Sequence, residues 1–599
     1  MSSEPAAATL RLALIAMPWP LFNRPSIQLG VLKSYLAQEL PWVEVDLFHP
    51  YLDTARRLTP GVYETIARRM WLAEALFAPL AFPEMAESAR RVARREGNRA
   101  GLGRQRLAAA FAAVAAQIDE FPETADWSRY DLIGFTVCFN QLAAALAAAR
   151  AIKEHHPGSP VLFGGASMLP GAGAALGKTG LVDHVICGEG EQQLAALCRR
   201  LAGRDDCDDG HPPPLPPPQM PSLDRLPAPD YRDYFRELGA QFGPTPFLPT
   251  LPIEFSRGCW WGKCAFCNLN RQWQGYRQRP TAGVLEEIAA QGDRHGVLDF
   301  AFTDNVLPVR EGRALFTALA GQGRGRKFFA ELRPGQLRDA PIYRQGGLDR
   351  VQVGIEGMSA SLLTRLGKGT TVMDNVLAMK SALANGIRLE GNLILEFPQS
   401  TEREVEETID ALDFLFPFPP LDGAAFFLGS GSPVDGDPRR YGIRALLPHP
   451  GFAALFPAGF VGEMPFPIRG YRGDRGEQHR RWRPVRKKIE QWQAYHRQRK
   501  NDAVSLPLLS FRDGGTFLLI RQELADGRIL HHRLRGTSRR IYLALAAPRT
   551  VEELVAEFPA AGEGAIRVFL VELVGKRLVY TDKKNYLALA VTETGRGRA

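Results

Sequence analysis

The chain has 599 residues, of which 45% are hydrophobic and 23% charged, with a formal net charge of +9 at pH 7. This composition indicates a globular protein of about three or four domains. No apolar run reaches the roughly 18–20 residues of a membrane span, and residues 1–9 lack the pattern of a secretory signal. Seven cysteines, three of them in one short stretch, do not indicate a disulfide framework. We therefore expect a cytoplasmic protein with no membrane partner.

The first 210 residues alternate apolar runs with amphipathic segments. This alternation predicts a doubly wound parallel sheet, interrupted by an Ala- and Arg-rich helical insertion at 60–120. The predicted strands are 10–17, 43–48, 131–137, 160–163 and 182–187.

Glycines and polar residues follow these strands, where ligands bind in parallel sheets. Glycine there lets a backbone approach a bulky ligand, although simple turn chemistry explains the same glycines. No Gly-x-Gly-x-x-Gly pattern is present, so a nicotinamide or flavin is not supported. The glycines at these strand ends are Gly164, Gly165, Gly188 and Gly190.

Three cysteines follow a Pro-rich linker at 211–229 and an apolar strand. Cys259, Cys264 and Cys267 lie within nine residues, and three thiolates can hold one face of an iron–sulfur cluster while leaving one iron open. The alternatives are a zinc site completed by a distant ligand such as His295, a redox pair, and unliganded thiols.

Residues 230–430 repeat a strand–helix pattern, which predicts a partial barrel of parallel strands. Polar residues at the ends of barrel strands indicate a site, although any one of them can be a satisfied rim residue. These residues are Asp304, Glu331, Glu356 and Asn392. The stretch 431–504 reads as an irregular region and a basic helix. Nine Lys or Arg between positions 480 and 500 suit a solvated face, a groove for an acidic peptide, or RNA. The last unit, 505–599, combines a hairpin with three helical segments.

A strand, a three-cysteine loop and alternating strands and helices resemble the radical S-adenosylmethionine (SAM) enzymes. The spacing departs from the family's three-then-two pattern, because four residues separate the first two cysteines here. With this longer gap, the string Ser-Arg-Gly-Cys-Trp-Trp-Gly at 256–262 resembles the cobalamin-dependent enzymes that mature ribosomally made peptides (RiPPs).

The resemblance implies an α/β fold with three parts: an N-terminal Rossmann-like cobalamin-binding domain, a central partial (β/α)6 radical SAM barrel and a small C-terminal α+β winged-helix-like domain. It implies a 4Fe–4S cluster, SAM and cobalamin as cofactors, with Cys259, Cys264 and Cys267 as cluster ligands. The cobalamin contacts implied are Pro18, Trp19, Thr136, Gly164, Gly165, Ser167, Gly188, Glu189 and Gly190. No Asp-x-His-x-x-Gly motif supplies a histidine for cobalt. The SAM contacts implied are Phe266, Asp304, Glu331, Arg333, Glu356, Asn392 and Leu395.

The implied activity is C-methylation of a precursor peptide through a methylcobalamin intermediate, a radical SAM C-methyltransferase. Its partners would be a leader peptide bound by the C-terminal domain and an electron donor such as flavodoxin or ferredoxin; no individual catalytic residue is identified. Polar methyl transfer and another radical modification of a peptide or small molecule remain alternatives. Two alternatives belong to other functional classes. They are a metal-containing nucleic-acid-binding protein, which the sequence supports less well, and an interaction scaffold whose cluster is only structural.

Overall fold

A computed structural model describes residues 9–204, 219–244, 247–501 and 506–593. Over these ranges no helix is both long and apolar enough to cross a membrane. The first part of the predicted linker, 211–218, lies outside the described residues.

The N-terminal domain is built on one parallel sheet of five strands in the order β2-β1-β3-β4-β5. Both faces of the sheet are covered, which explains why its strands read as nearly continuous apolar runs. Its strands are β1 (Leu10–Ala16), β2 (Val43–Phe48), β3 (Leu132–Thr136), β4 (Val161–Gly164) and β5 (His184–Val185). The predicted parallel α/β arrangement is confirmed.

Nine helices surround this sheet in the described chain. The first begins after Ser26, whose hydroxyl accepts a hydrogen bond from the Leu29 amide and so caps the helix. The helices are α1 (Ile27–Glu39), α2 (Pro50–Leu58), α3 (Pro60–Ala67), α4 (Met70–Ala81), α5 (Ala86–Arg99), α6 (Arg104–Glu120), α7 (Leu142–His155), α8 (Ala172–Gly177) and α9 (Gly190–Leu201). Helices α3 to α6 occupy the segment where the sequence indicates a helical insertion.

The central domain is a partial barrel of parallel strands. Five strands form one sheet in the order β12-β11-β10-β9-β6, and the pair β13–β14 continues it through a bridge between Glu356 and Leu393. The strands are β6 (Thr250–Ile253), β9 (Asp299–Phe302), β10 (Lys327–Leu332), β11 (Leu348–Val353), β12 (Arg388–Glu390), β13 (Asn392–Leu395) and β14 (Asp422–Ala425). A short antiparallel hairpin of β7 (Ser256–Arg257) and β8 (Arg277–Gln278) brackets the three cysteines.

Helices lie between the barrel strands. Helices α15 and α16 begin with capping boxes, in which Thr371 pairs with Asp374 and Thr401 with Glu404. The helices of this domain are α10 (Arg232–Phe242), α11 (Thr281–His295), α12 (Val309–Gln322), α13 (Ala340–Gln345), α14 (Ala360–Arg365), α15 (Val372–Ala384) and α16 (Glu402–Leu415).

The region after the barrel, where the sequence indicates irregular chain, contains a small antiparallel sheet in the order β15-β17-β16. The basic stretch forms the long helix α21, whose Trp492 indole donates hydrogen bonds to the Phe416 and Phe418 carbonyls. The elements are β15 (Leu428–Gly429), α17 (Pro433–Gly436), β16 (Ala445–Pro448), α18 (Pro450–Ala453), α19 (Ala458–Glu463), β17 (Ile468–Arg472), α20 (Arg475–Arg481) and α21 (Arg483–Asn501).

Residues 449–466, which we call the strap, return to the N-terminal domain and join its apolar core. The His449 ring stacks on Trp71 of α4, with centroids 4.6 Å apart and planes 3° apart. Phe452, Phe456 and Phe466 are buried behind this stack. Sequence periodicity could not reveal the strap, because its aromatic partners, such as Trp71 and Phe82, are remote in sequence.

The C-terminal unit has two small sheets and three helices. Strand β20 lies at the edge of the first sheet, whose order is β20-β19-β18-β24, and β21-β23-β22 form the second. The elements are β18 (Leu509–Asp513), β19 (Phe517–Glu523), β20 (Ile529–Arg535), α22 (Gly536–Ala544), β21 (Arg549–Thr550), α23 (Val551–Glu557), α24 (Glu563–Gly575), β22 (Val579–Thr581), β23 (Asn585–Ala588) and β24 (Val591–Thr592).

The contact between the strap and the N-terminal domain should weaken in acid. The His449 Nδ1 accepts a hydrogen bond from the Gly451 amide, so the ring must be neutral, and burial lowers its pKa to about 4. The unfolded chain therefore takes up this proton first as the pH falls from about 6.5 to about 4, and the stability falls in that window. We expect the melting temperature of the wild type to drop between pH 7 and pH 5.

His449→Asn is the matched variant, because asparagine keeps the acceptor at the helix start and does not titrate. Its pH-dependent loss of melting temperature should be smaller than that of the wild type by about 2 °C or more. Identical slopes for the two proteins would show that His449 stays protonated or contributes nothing.

Candidate functional site

The three predicted cluster cysteines lie on one loop that follows β6 at the carboxyl end of the barrel. Cys259, Cys264 and Cys267 are all free and half-buried. Burial raises the pKa of Cys264, and the charges of Lys368 and Arg333 oppose this effect. Within the described ranges, no three His, Cys, Asp or Glu side chains are grouped tightly enough to hold a single metal ion. Thiolates are soft ligands, and three of them on one loop can hold three irons of an iron–sulfur cluster.

The β7–β8 hairpin fixes the start of the cysteine loop. Gly258 has a φ of 83°, and a Cβ there would lie 2.3 Å from the Gly275 carbonyl oxygen, so only glycine fits. On the other side, the Ala265 amide donates to the Leu366 carbonyl at 2.8 Å. The loop is therefore held between its own hairpin and the turn after α14.

The four residues between Cys259 and Cys264 include two tryptophans, Trp260 and Trp261. The Trp261 indole donates to the Gly367 carbonyl at 2.9 Å, and Gly369 leaves the space that this ring fills. The Arg333 guanidinium lies 4.4 Å from the centroid of Trp261 and 5.4 Å from that of Trp260. Arg333, predicted as a SAM contact, thus stacks on the cysteine loop and supports it.

Two of the predicted acidic residues meet a lysine that the sequence analysis missed. Lys368 Nζ lies 3.1 Å from Glu356 Oε1, and Gly354 leaves room for the lysine because a Cβ there would lie 2.3 Å from Nζ. Burial raises the pKa of Glu331 to about 7, with Glu356 adding to the rise and Lys368 opposing it. Glu356 has a φ of 61°, a strained conformation for this residue type that is often found at functional sites. The Gly-Lys-Gly turn was the one available signal for Lys368.

Three other predicted SAM contacts serve the fold in the structure. Asp304 accepts hydrogen bonds from the Phe255 amide at 3.1 Å and from the Ser256 hydroxyl, and its burial raises its pKa to about 7. It supports the start of the cysteine loop from below. Leu395 is buried in the barrel core because it faces the covering helices, and Phe266 packs partly against the same core.

Asn392 occupies the first position of β13 and is exposed. Its carbonyl accepts a hydrogen bond from the Glu356 amide at 3.0 Å. The backbone of Asn392 therefore sets the position of Glu356, whatever its side chain contacts.

A cavity of about 430 Å³ lies between the carboxyl ends of the two parallel sheets. The cysteine loop reaches it through Asn268 and Leu269, and the end of β9 through Thr303 and Asn305. Six of the predicted cobalamin contacts line it: Thr136, Gly164, Gly165, Gly188, Glu189 and Gly190.

Two glycines of this cavity wall, Gly165 and Gly164, differ in whether the surrounding backbone would admit a side chain. Gly165 has a φ of 100°, and a Cβ there would lie 2.8 Å from the Val137 backbone. Gly164 instead has open space, since its nearest neighbour would be 3.9 Å from a Cβ. A wall of bare backbone and apolar side chains, with amide and charged side chains also in the lining, fits a corrin, whose rim carries methyl and amide groups.

Three predicted cobalamin contacts do not line this cavity. Trp19 is 3% exposed, its indole donates to the Ala73 carbonyl at 3.0 Å, and its ring contacts Tyr63 and Phe77. The helical insertion covers the end of β1 and buries Trp19 together with Pro18. Ser167 is also buried, one residue beyond the lining.

Glu189 lines the cavity, but its carboxylate is already engaged. It accepts a hydrogen bond from the Met220 amide at 2.7 Å and forms ion pairs with Arg257 and Arg277. The carboxylate of Glu189 thus pairs with two arginines of the cysteine-loop hairpin, which the sequence analysis did not foresee, and its contact with a ligand stays a prediction.

Residues 253–412 match the family model of the radical SAM superfamily. This part of the chain is a radical SAM domain, as the sequence predicted. Among curated proteins, an uncharacterized methyltransferase of Pyrococcus horikoshii is 26% identical over 47% of this chain and 63% of its own length. The hopanoid C-3 methylase of Methylococcus capsulatus is 29% identical over 37% of this chain and 44% of its own. The chain spans about half the length of the curated relatives it matches.

Two solved structures are similar over most of the chain. The cobalamin-dependent SAM radical enzyme OxsB with aqua-cobalamin bound has a TM-score of 0.49 at 15% identity and covers 94% of this chain and 73% of its own. The radical SAM methyltransferase TsrM of Kitasatospora setae, with cobalamin and a 4Fe–4S cluster, has a TM-score of 0.45 at 17% identity, covering 71% and 77%. Bound cobalamin is common to these two proteins, and TsrM also holds a 4Fe–4S cluster. These similarities do not extend to a RiPP substrate.

Proposed function

We propose that this chain is a cobalamin-dependent radical SAM enzyme that transfers a methyl group to a carbon atom. The observation that carries the proposal is the placement of the three-cysteine loop of the radical SAM domain against a glycine-walled cavity at the end of a second parallel sheet. Two curated relatives named for methyl transfer support it.

When bound, the cofactors supply reductive cleavage of SAM to a 5′-deoxyadenosyl radical at the cluster and a methyl group carried by cobalamin. The residues of the chain bind and orient these groups. Cys259, Cys264 and Cys267 would hold three irons and leave the fourth for SAM. Glu356 with Lys368, at the strained turn after β11, would hold polar groups of SAM beside the loop.

The cavity would hold cobalamin against bare backbone at Gly164, Gly165, Gly188 and Gly190. No histidine is among the residues that line it in the described part of the chain. The described lining would therefore offer cobalamin no imidazole, in agreement with the missing Asp-x-His-x-x-Gly motif.

Removing one cluster thiol tests the metal assignment. Cys264→Ala, reconstituted without oxygen, should lose the iron–sulfur absorbance near 400 nm and the reductive formation of 5′-deoxyadenosine together, because two thiols cannot retain the cluster. Cys198→Ala is the control, since Cys198 is a buried residue of α9 in the N-terminal domain and is not part of the cysteine loop. A colourless wild type containing one zinc would contradict the proposal. Measuring 5′-deoxyadenosine beside methylated product also separates radical from polar transfer.

Filling the glycine wall tests the cobalamin site. Gly164→Leu should lower the affinity for aqua-cobalamin at least about tenfold, because the side chain enters the cavity without meeting the backbone. Iron content and 5′-deoxyadenosine formation should stay near wild type. Gly61→Leu, in open space on the helical insertion, is the control. Equal cobalamin titrations for Gly164→Leu and wild type would move the site elsewhere.

We further propose that the substrate is a peptide whose leader adds as a strand to the edge of β20. Ile529 on this edge is 48% exposed, and Val568 and Val571 of α24 are 71% and 70% exposed. The Gln522 side chain donates a hydrogen bond to the carbonyl of Lys576, directly after α24, and also contacts His532 of β20, each at 2.9 Å. The end of the helix therefore lies near this edge. Unpaired strand edges and exposed apolar side chains are the surfaces that extended peptides use.

A displayed peptide library can test this surface, because selection from a library does not require a defined substrate sequence. Selection on the full chain should enrich extended apolar sequences that bind at least about tenfold more weakly to Val568→Glu/Val571→Glu. Ala556→Glu, at an exposed position of the neighbouring helix α23, is the matched control. A selection that enriches nothing, or sequences that bind the double variant equally well, would contradict the peptide proposal.

We also infer that a one-electron donor such as flavodoxin or ferredoxin reduces the cluster, and that the enzyme works in the cytoplasm. An oxygen-labile cluster needs a reducing compartment and a low-potential electron source. Anaerobic reduction by either protein, followed by 5′-deoxyadenosine formation, is the direct measurement.

A further inference from the structure

We propose that Arg257 is a positioning residue that locks the cysteine loop to the cavity of the N-terminal domain. It does so through the buried carboxylates of Glu189 and Glu191 at the start of α9. The inference rests on the proposed function, because it concerns how two cofactor sites are kept in register.

Arg257 directly precedes Gly258 and Cys259, and it has carboxylates on three sides. Its Nη2 lies 2.6 Å from Glu191 Oε1, its Nη1 lies 3.4 Å from Glu189 Oε2 and its Nε lies 3.0 Å from Glu254 Oε1. The first two partners belong to the N-terminal domain, and the third ends β6 of the barrel. One guanidinium therefore joins the two domains at the first residue before the cluster loop.

The hairpin that carries Arg257 depends on these partners. In the β7–β8 register Arg257 stands opposite Arg277. Like charges directly opposite one another destabilise a strand pair. Glu189 contacts both arginines and so neutralises the repulsion from the side of the N-terminal domain. Without Glu189, Arg277 would stand opposite Arg257 with no carboxylate partner among the described residues.

The network is buried, which makes it specific. Arg257, Glu189 and Glu191 have side chains only 8%, 4% and 5% exposed. Burial alone would lower the pKa of Arg257, but the charges of Glu254 and Glu191 outweigh it and raise that pKa well above its usual range. A buried charge that loses its partner is strongly disfavoured, so the two domains cannot slide past one another without breaking the network.

Arg257 acts through its neighbours. Its Nε and Nη2 donate hydrogen bonds to Glu254 and Glu191, and its Nη1 forms an ion pair with Glu189, so each nitrogen faces a carboxylate of the network. Nevertheless Arg257, Glu189, Glu191 and Glu254 all line the cavity. The ion network is thus the part of the cavity wall that connects to the cysteine loop, and it sets how far the loop stands from the glycine wall.

The test compares two products of SAM in the full chain, reconstituted with iron and sulfide, mixed with aqua-cobalamin and reduced with titanium(III) citrate. 5′-Deoxyadenosine reports SAM cleavage at the cluster, and S-adenosylhomocysteine reports methyl transfer to cobalamin. For Arg257→Met we expect S-adenosylhomocysteine to fall at least about tenfold and 5′-deoxyadenosine to fall less than about threefold. A purely structural role would lower both products in proportion to iron content, and that outcome overturns the proposal.

Glu191→Gln keeps the test usable if Arg257→Met does not fold, because glutamine has the same shape and loses only the charge. The same change of product ratio is expected, with a smaller size. The control is Arg499→Met, which removes a similarly buried ion pair with Glu523 that lies outside the two sites. It should leave the ratio unchanged; a shift as large as that of Arg257→Met would overturn the proposal.

Amide hydrogen exchange separates this inference from the proposed function, because it needs no turnover. In both Arg257→Met and Glu191→Gln, residues 188–191 and 255–258 should exchange faster together, by at least about fivefold. If the wild type formed no S-adenosylhomocysteine, the proposed function would fail while this coupled exchange could still establish the lock. Unchanged exchange, or exchange that rises in one segment alone, would refute the lock.

Discussion

The structure depends on two parallel sheets whose carboxyl ends face one cavity. In a parallel sheet all strands end on the same edge, so the residues that follow them gather there without help from the rest of the fold. The N-terminal sheet presents Thr136 and Gly164 at this edge, and the barrel presents Thr303 and Asn305 at its own. Any chemistry that needs two bound groups close together can be built where such edges oppose one another.

Ion pairs join the barrel to the N-terminal domain beside the cavity. The barrel contributes arginines beside its cysteine loop, and the N-terminal domain contributes the carboxylates of Glu189 and Glu191. A second charged group lies deeper, where Lys368 meets Glu356 close to Glu331. Buried ion pairs add little net stability but penalise misplacement strongly, so they define geometry better than apolar contacts do.

Packing far from the cavity reinforces it. The strap leaves the barrel region, stacks His449 on Trp71 and adds its phenylalanines to the N-terminal core. Pro467, just after the strap, lines the cavity, and its carbonyl accepts a hydrogen bond from Asn268 of the cysteine loop at 3.1 Å. The chain therefore crosses the domain junction at the linker and again at the strap, which restrains the relative motion of the two sheets.

Local patterns in the sequence determined the parallel sheets, the helical insertion and the three-cysteine loop, because periodicity, strand ends and ligand spacing are properties of short segments. They also identified most of the glycine wall. They could not show that Trp19 turns into the insertion, that Asp304 braces the loop, or that Glu189 pairs with arginines. Each of those outcomes depends on which residue from a distant part of the chain contacts a buried polar or aromatic group. Only the tertiary structure determines those contacts. The strap was not predicted for the same reason, because its partners are remote in sequence and adjacent only in the folded chain. Lys368 left a local signal in its Gly-Lys-Gly turn, but its ion pair with Glu356 is visible only in the fold.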